Sequence, residues 1–199
     1  MKIFKQHISK LSDEELMVQI QSHQSHLALT ELHKRYSQKL LGFFFKMLNK
    51  NEEKAQDFVQ DIFLKILEKN HLFDTDKKFY TWIFTIANNM CKTEFRSPYK
   101  TKISDHDFEL KNEATFSDNL AEKDRFKLLL EKSILALDEN QKNTFVLRYM
   151  EQLSLQEIAE ITGTTLGTVK SRLFYATQKM AKELKEYNPK NESNLFKLI

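Results

Sequence analysis

The stretch LSLQEIAEITGTTLGTVKSRL, residues 153–173, holds two short amphipathic segments joined across a glycine. Ser154 and Glu157 stand at the spacing of a capping box, in which each side chain accepts a backbone N–H of the other at the start of a helix. Beyond it, Ala159 permits close approach of two helices, Gly163 tolerates a left-handed turn and Val169 fills the junction. These positions have the spacing of a helix-turn-helix. In its second helix Leu166, Val169 and Leu173 are expected to point inward, which directs Thr165, Thr168, Lys170, Ser171 and Arg172 outward. A face of hydroxyls and cations suits the major groove of DNA: side chains near the helix start meet base edges while Lys170 and Arg172 neutralise phosphates. Further cations follow at Lys179, Lys182 and Lys185.

The composition agrees with a helical chain. Only 3 Gly and 2 Pro occur in 199 residues, so tight hairpins are scarce, and with 41% hydrophobic residues there is material for one or two small cores. The fold class expected is all-α: two small helical domains joined by a flexible linker, the second a helix-turn-helix domain. Cys91 is the single cysteine, which excludes an internal disulfide framework. No apolar run is long enough for a secretion signal or a membrane span, and a cytoplasmic protein without membrane insertion is expected. The net charge of +3 says little by itself, so charge matters here by position.

Upstream, Ser12 and Glu15 form another capping box before LMVQI, and a long helix is expected through LALTELHKRYSQKLLGFFFKML. From Asn51, the residues Phe58, Val59, Ile62, Phe63, Ile66 and Leu67 repeat at helical spacing and leave Asp57, Gln60, Asp61 and Lys65 to other faces. After the polar loop HLFDTDKK, Phe79, Trp82, Ile83, Ile86, Ala87 and Met90 predict a helix that ends near Arg96, before Ser97-Pro98. Trp82 reads as core by this spacing. The polar residues 97–124 have no apolar period and are expected as linker between an amino-terminal domain, 1–96, and a carboxy-terminal domain, 125–187; residues 188–199 form a tail. Asp138 and Gln141 suggest a third capping box, opening a helix with Phe145, Val146, Tyr149 and Met150 on its apolar face.

At these residues the sequence resembles a known family. DENQKNTFVLRYMEQLSLQEIAEITGTTLGTVKSRLFYATQKM is similar to the carboxy-terminal DNA-binding domain of extracytoplasmic-function sigma factors, the bacterial transcription-initiation subunits. Response regulators carry similar modules, so the amino-terminal half decides. AQDFVQDIFLKILEKN followed by FYTWIFTIANNMCKTEFR resembles the first conserved domain of that family, in which one helix grips core RNA polymerase and the next reads the melted promoter. The resemblance implies that Asp57, Gln60 and Asp61 bind a basic clamp surface of core polymerase, that residues 71–78 hold a flipped base of the minus-ten element, and that Asn88, Asn89 and Lys92 contact the same element. It implies that Thr165, Gly167, Thr168, Lys170, Ser171 and Arg172 form the recognition helix for the minus-thirty-five element. Family members often carry a cation near Thr85 and Asn88, so phosphate attraction by this helix is expected to be weaker than typical.

The partners implied are core RNA polymerase and promoter DNA, and an anti-sigma factor is common in the family. No cofactor is implied, and the mechanism is binding without catalysis. The competing reading is a helix-turn-helix regulator that binds duplex DNA without polymerase; it leaves the polar faces at 57–61 and 88–92 without a role. An enzyme is disfavoured because His23, His26 and His33 lack a cysteine or carboxylate pair to complete a metal site, and no glycine-rich phosphate loop exists.

Overall fold

The structure, a computed structural model, describes residues 8–96 and 118–187. Eight α-helices lie among the described residues: α1 (Asp13–His23), α2 (His26–Met47), α3 (Glu52–Lys69), α4 (Phe79–Arg96), α5 (Asp118–Leu135), α6 (Glu139–Tyr149), α7 (Leu155–Thr162) and α8 (Leu166–Glu183). Short 3-10 turns at Asn70–Leu72 and Lys185–Tyr187 follow α3 and α8.

Local side-chain chemistry starts most of these helices. Ser12 and Glu15 make the expected reciprocal cap of α1, and Ser154 and Glu157 do the same for α7. Ser25, Asn51 and Asp138 cap α2, α3 and α6 by accepting a backbone N–H. At Asp138 the bond from Gln141 N is 2.9 Å.

Helices α1 to α4 pack around Leu16, Leu32, Leu40, Phe43, Phe44, Ile62, Phe79, Phe84 and Ala87, all fully buried. Edge-to-face pairs knit this core, with Phe43 and Phe84 centroids 5.4 Å apart and Phe44 and Phe58 5.3 Å apart. A separate cluster of Ile134, Leu137, Phe145, Ala176, Met180 and Leu184 joins α5, α6 and α8.

Two outcomes differ from the sequence-based expectations. Helix α5 begins at Asp118, inside the segment expected as linker, while residues 97–117 and the tail 188–199 lie outside the described residues. More consequentially, the two units share a core. Val146, Leu147, Leu153, Ile158, Ile161, Val169 and Leu173 belong to the same buried cluster as the amino-terminal helices, because α7 lies along α4 and α6 against α2. Periodicity along one helix reports how wide its apolar stripe is and says nothing of which distant helix covers it.

Gly163 ends α7 in the left-handed conformation, φ 66° and ψ 39°, and Thr164 N then bonds Ala159 O at 3.0 Å. A Cβ at Gly163 would meet no atom within 4 Å, so the cost of Gly163→Ala is conformational alone. That cost is about 1 kcal/mol. The melting midpoint is expected to fall by a few degrees with the fold intact; an unchanged midpoint would show that the turn carries no such strain.

Candidate nucleic-acid interface

The turn after α7 delivers α8 to the surface. Thr165 is its N-cap, accepting Thr168 N at 3.2 Å, and its hydroxyl also lies 2.9 Å from that of Thr168. Thr165 therefore spends part of its hydrogen-bonding capacity on starting the helix. Gly167, Lys170 and Ser171 are exposed, and Thr168 and Arg172 are half-buried, so the six residues expected on the recognition helix do share its outer side. A Cβ at Gly167 would touch only Thr165 Oγ1, at 3.8 Å. Neighbouring packing does not demand a glycine there, whereas close approach of a partner to the backbone would use one.

Leu166 departs from expectation: Val169 and Leu173 are buried, but Leu166 is 39% exposed. It stands in the first turn of α8, before the helix meets the junction. With Lys170 and Phe174 it makes an i, i+4, i+8 stripe on the outer face. Phe174, 60% exposed, and its neighbour Tyr175 were not singled out from the sequence, although counting four residues on from Lys170 finds Phe174.

The three residues expected to meet the minus-ten element are placed differently from one another. Asn89 is exposed. Asn88 is 1% exposed, donates to Ile161 O at 3.0 Å and accepts from Asn143 Nδ2 at 2.7 Å. Lys92 is half-buried, with Nζ donating to Thr162 O at 2.9 Å. Burial lowers its pKa, and the cations Arg172 and Arg96 push it the same way. In this arrangement Asn88 is closed off from any external ligand by α6 and α7. Trp82, expected as core, is partly buried and packs on Phe73 at 5.1 Å.

Residues 71–78 form a fixed platform before α4. Gln21 Nε2 donates to Asn70 O at 2.7 Å and to Phe73 O at 2.8 Å, and Phe73 is buried beside Phe79 and Trp82. The N-terminus of α4 receives a carboxylate, with Phe79 N donating to Glu14 Oε1 at 3.0 Å. Around this anchor His71, Leu72, Asp74, Asp76, Lys77 and Lys78 are exposed.

On α3, Asp57, Gln60 and Asp61 are all exposed, and Leu64, 55% exposed, continues their stripe one turn on. Leu67, expected inward, is 39% exposed. His33 tilts over Phe63 at a centroid distance of 4.6 Å, and among the described residues no three His, Cys, Asp or Glu side chains gather as a metal site would need. Burial of Cys91 raises its thiol pKa to about 12. Among the described residues no helix is long and apolar enough to cross a membrane.

A helix-turn-helix with an outward polar and cationic helix, carried beside a helical unit that presents a separate acidic face, defines a DNA-binding protein of the transcription apparatus. The family model of sigma-70 region 2 matches residues 32–100, and that of sigma-70 region 4 matches residues 127–180. The chain belongs to the sigma-70 family, in its extracytoplasmic-function group. It is 27% identical to the ECF RNA polymerase sigma factor SigW of Bacillus subtilis over 161 residues, covering 76% of this chain and 86% of that protein. With the ECF RNA polymerase sigma-E factor of Haemophilus influenzae it shares 29% over 180 residues, covering 85% and 93%. The fold is that of CnrH in complex with the cytosolic domain of CnrY, at TM-score 0.64 and 22% identity over 87% of this chain and 97% of CnrH. It is also similar to the sigma factor RpoE bound to the anti-sigma factor NepR from Bartonella quintana, at TM-score 0.61 and 22% identity, covering 78% and 96%.

Proposed function

We propose that this chain works as a promoter-selecting subunit whose two faces divide the task. It is an RNA polymerase sigma factor and directs transcription initiation at specific promoters. The observation that carries this reading is the presence of both sigma-70 regions, in family order, on one chain. In the proposed division Asp57, Gln60 and Asp61 on α3 engage core polymerase. Asn88, Asn89 and Lys92 on α4, with the loop 71–78, take the melted minus-ten strand. Thr165, Gly167, Thr168, Lys170, Ser171 and Arg172 on α8 take the upstream duplex.

The physical demands differ between the two DNA contacts. Trapping a base out of the stack costs a few kcal/mol, which stacking and base-edge hydrogen bonds offset, and a loop anchored by Gln21 and Phe73 gives such a pocket a rigid floor. The upstream contact is to an intact duplex and relies on shape and phosphate charge. Bond-making stays with the polymerase, and the chain itself is proposed to act without catalysis, in the cytoplasm where polymerase works. An anti-sigma protein is a further proposed partner, since RpoE of Bartonella quintana is held by one.

Run-off transcription from fragmented genomic DNA, with core polymerase alone and with core plus this chain, tests the reading. Discrete new transcripts that share two upstream elements are expected. No new transcript, together with a specific duplex shifted by the chain alone, would replace it with a polymerase-independent regulator. On the promoter so found, Lys170→Ala with Arg172→Ala is expected to flatten the slope of log affinity against log salt by about 2, as two phosphate contacts are lost. An unchanged slope would remove these two side chains from the phosphates.

A further inference from the structure

Most of the hydroxyl protons on the recognition face of α8 are engaged within the helix. Thr165 and Thr168 share one across 2.9 Å, and Ser171 Oγ donates to Thr168 O at 3.0 Å. Of the three hydroxyl protons on the assigned face, two are thus held inside the protein and one is left for a base edge. Between Thr165 and Thr177 the sequence holds no Asn, Gln, Asp or Glu. The side-chain amide that marks adenine and the carboxylate that marks cytosine are therefore both missing from the first three turns. Lys170 and Arg172 remain, and such cations address guanine or phosphate.

What the face does present is apolar. Leu166 is 39% exposed and Phe174 60%, one on each side of Lys170 in their i, i+4, i+8 stripe. Tyr175 holds the Phe174 ring edge-to-face, at a centroid distance of 5.5 Å and an interplanar angle of 75°. Gly167 carries no Cβ, so the backbone beside Leu166 is free to approach the floor of a groove. Helical rise puts about 12 Å between Leu166 and Phe174, or roughly three to four base-pair steps, so the two side chains address different base pairs.

In the major groove one base carries an apolar mark, the C5-methyl group of thymine. We propose that Leu166 and Phe174 read thymine methyl groups in the minus-thirty-five element, so that the chain selects its upstream duplex by apolar contact in addition to shape and phosphate charge. This rests on the reading of α8 as the minus-thirty-five helix. Hydroxyls already bonded within the helix suit such a contact, because they are not left unpaired when water leaves the groove. Both apolar side chains gain by leaving water.

Deoxyuridine in place of thymine removes the methyl group and keeps the base pair. The test binds core polymerase carrying the full chain to the promoter found by run-off transcription, with each thymine of the upstream element, on either strand, replaced in turn. Affinity is expected to fall about fourfold for each methyl group in contact. Leu166→Ala and, separately, Phe174→Ala are expected to weaken binding to the thymine duplex and to become insensitive to one of the replacements. A change in duplex shape alone would not produce that loss of sensitivity, which measures the coupling of one side chain to one methyl group. Circular dichroism checks the fold of each variant, and two separate variants keep the test informative if one of them unfolds.

Equal affinity for the thymine and deoxyuridine duplexes would overturn the proposal. So would variants weakened equally on both, since the side chains would then meet something other than methyl groups. Variants that bind both duplexes normally and lose transcription would assign the stripe to a protein partner instead. The salt slope of the Lys170→Ala, Arg172→Ala chain separates these outcomes from failure of the minus-thirty-five reading. A flattened slope without any deoxyuridine effect removes the methyl contact and keeps α8 on the duplex, whereas no change in either removes α8 from the duplex altogether.

Discussion

Phe84→Ala is expected to cost about 3–5 kcal/mol, a large part of the roughly 5–15 kcal/mol that holds a folded domain together. Phe84 is fully buried, meets Phe43 edge-to-face at 5.4 Å and stacks on Tyr80 at 4.6 Å with the rings 14° from parallel. Its removal leaves a cavity between α2 and α4 that two rigid rings cannot fill, so the transfer term and the cavity term add. The loss is not confined to the amino-terminal unit. Tyr80 depends on Phe84 for its ring position and carries the hydrogen bond to Glu151, and that bond and burial together hold its phenol above the usual range. Chemical denaturation compares the variant with Phe174→Ala, whose ring is 60% exposed and whose loss is expected to change stability by no more than about 0.5 kcal/mol. Equal midpoints for the two variants would show that Phe84 is not in the core.

Which features were legible in the sequence follows from the range of the forces involved. Capping at Ser12, Ser154 and Asp138 is decided within three residues, and the chain states it outright. The helix-turn-helix was equally legible, because the left-handed turn at Gly163 and the plug at Val169 are constraints between adjacent segments. Asn88 was not. Its amide is buried by Ile161 and Asn143, 73 and 55 residues away along the chain, and no local pattern reports that a polar side chain on a helix will be covered from another unit. Leu166 and Leu67 failed in the opposite sense: both were expected inward by their spacing, but each is 39% exposed among the described residues. An apolar residue left uncovered beside an assigned binding face is more informative than one buried on schedule, since exposed apolar area gathers where partners dock.

The stripe on α3 leads to the largest functional effect. Asp57, Gln60, Asp61 and Leu64 fall at i, i+3, i+4 and i+7, so one face of the helix offers two carboxylates, an amide and an apolar side chain to a single partner. Among the described residues no ion pair is recorded for either carboxylate. Free carboxylates on an exposed face cost the fold little, and in the proposed contact with a basic polymerase surface each would become a desolvated, charge-assisted pair. Breaking one such pair at an interface costs about 2–5 kcal/mol, and reversal adds repulsion between like charges. Asp57→Lys with Asp61→Lys is therefore expected to weaken core polymerase binding by at least ~100-fold. The midpoint of thermal unfolding is expected to stay within a few degrees, because both positions face solvent. Binding by fluorescence anisotropy, with transcription as the second readout, separates the outcomes. Lost affinity in a folded chain places the polymerase contact on α3, whereas undiminished affinity would move it off this helix and leave the acidic stripe an ordinary solvated face.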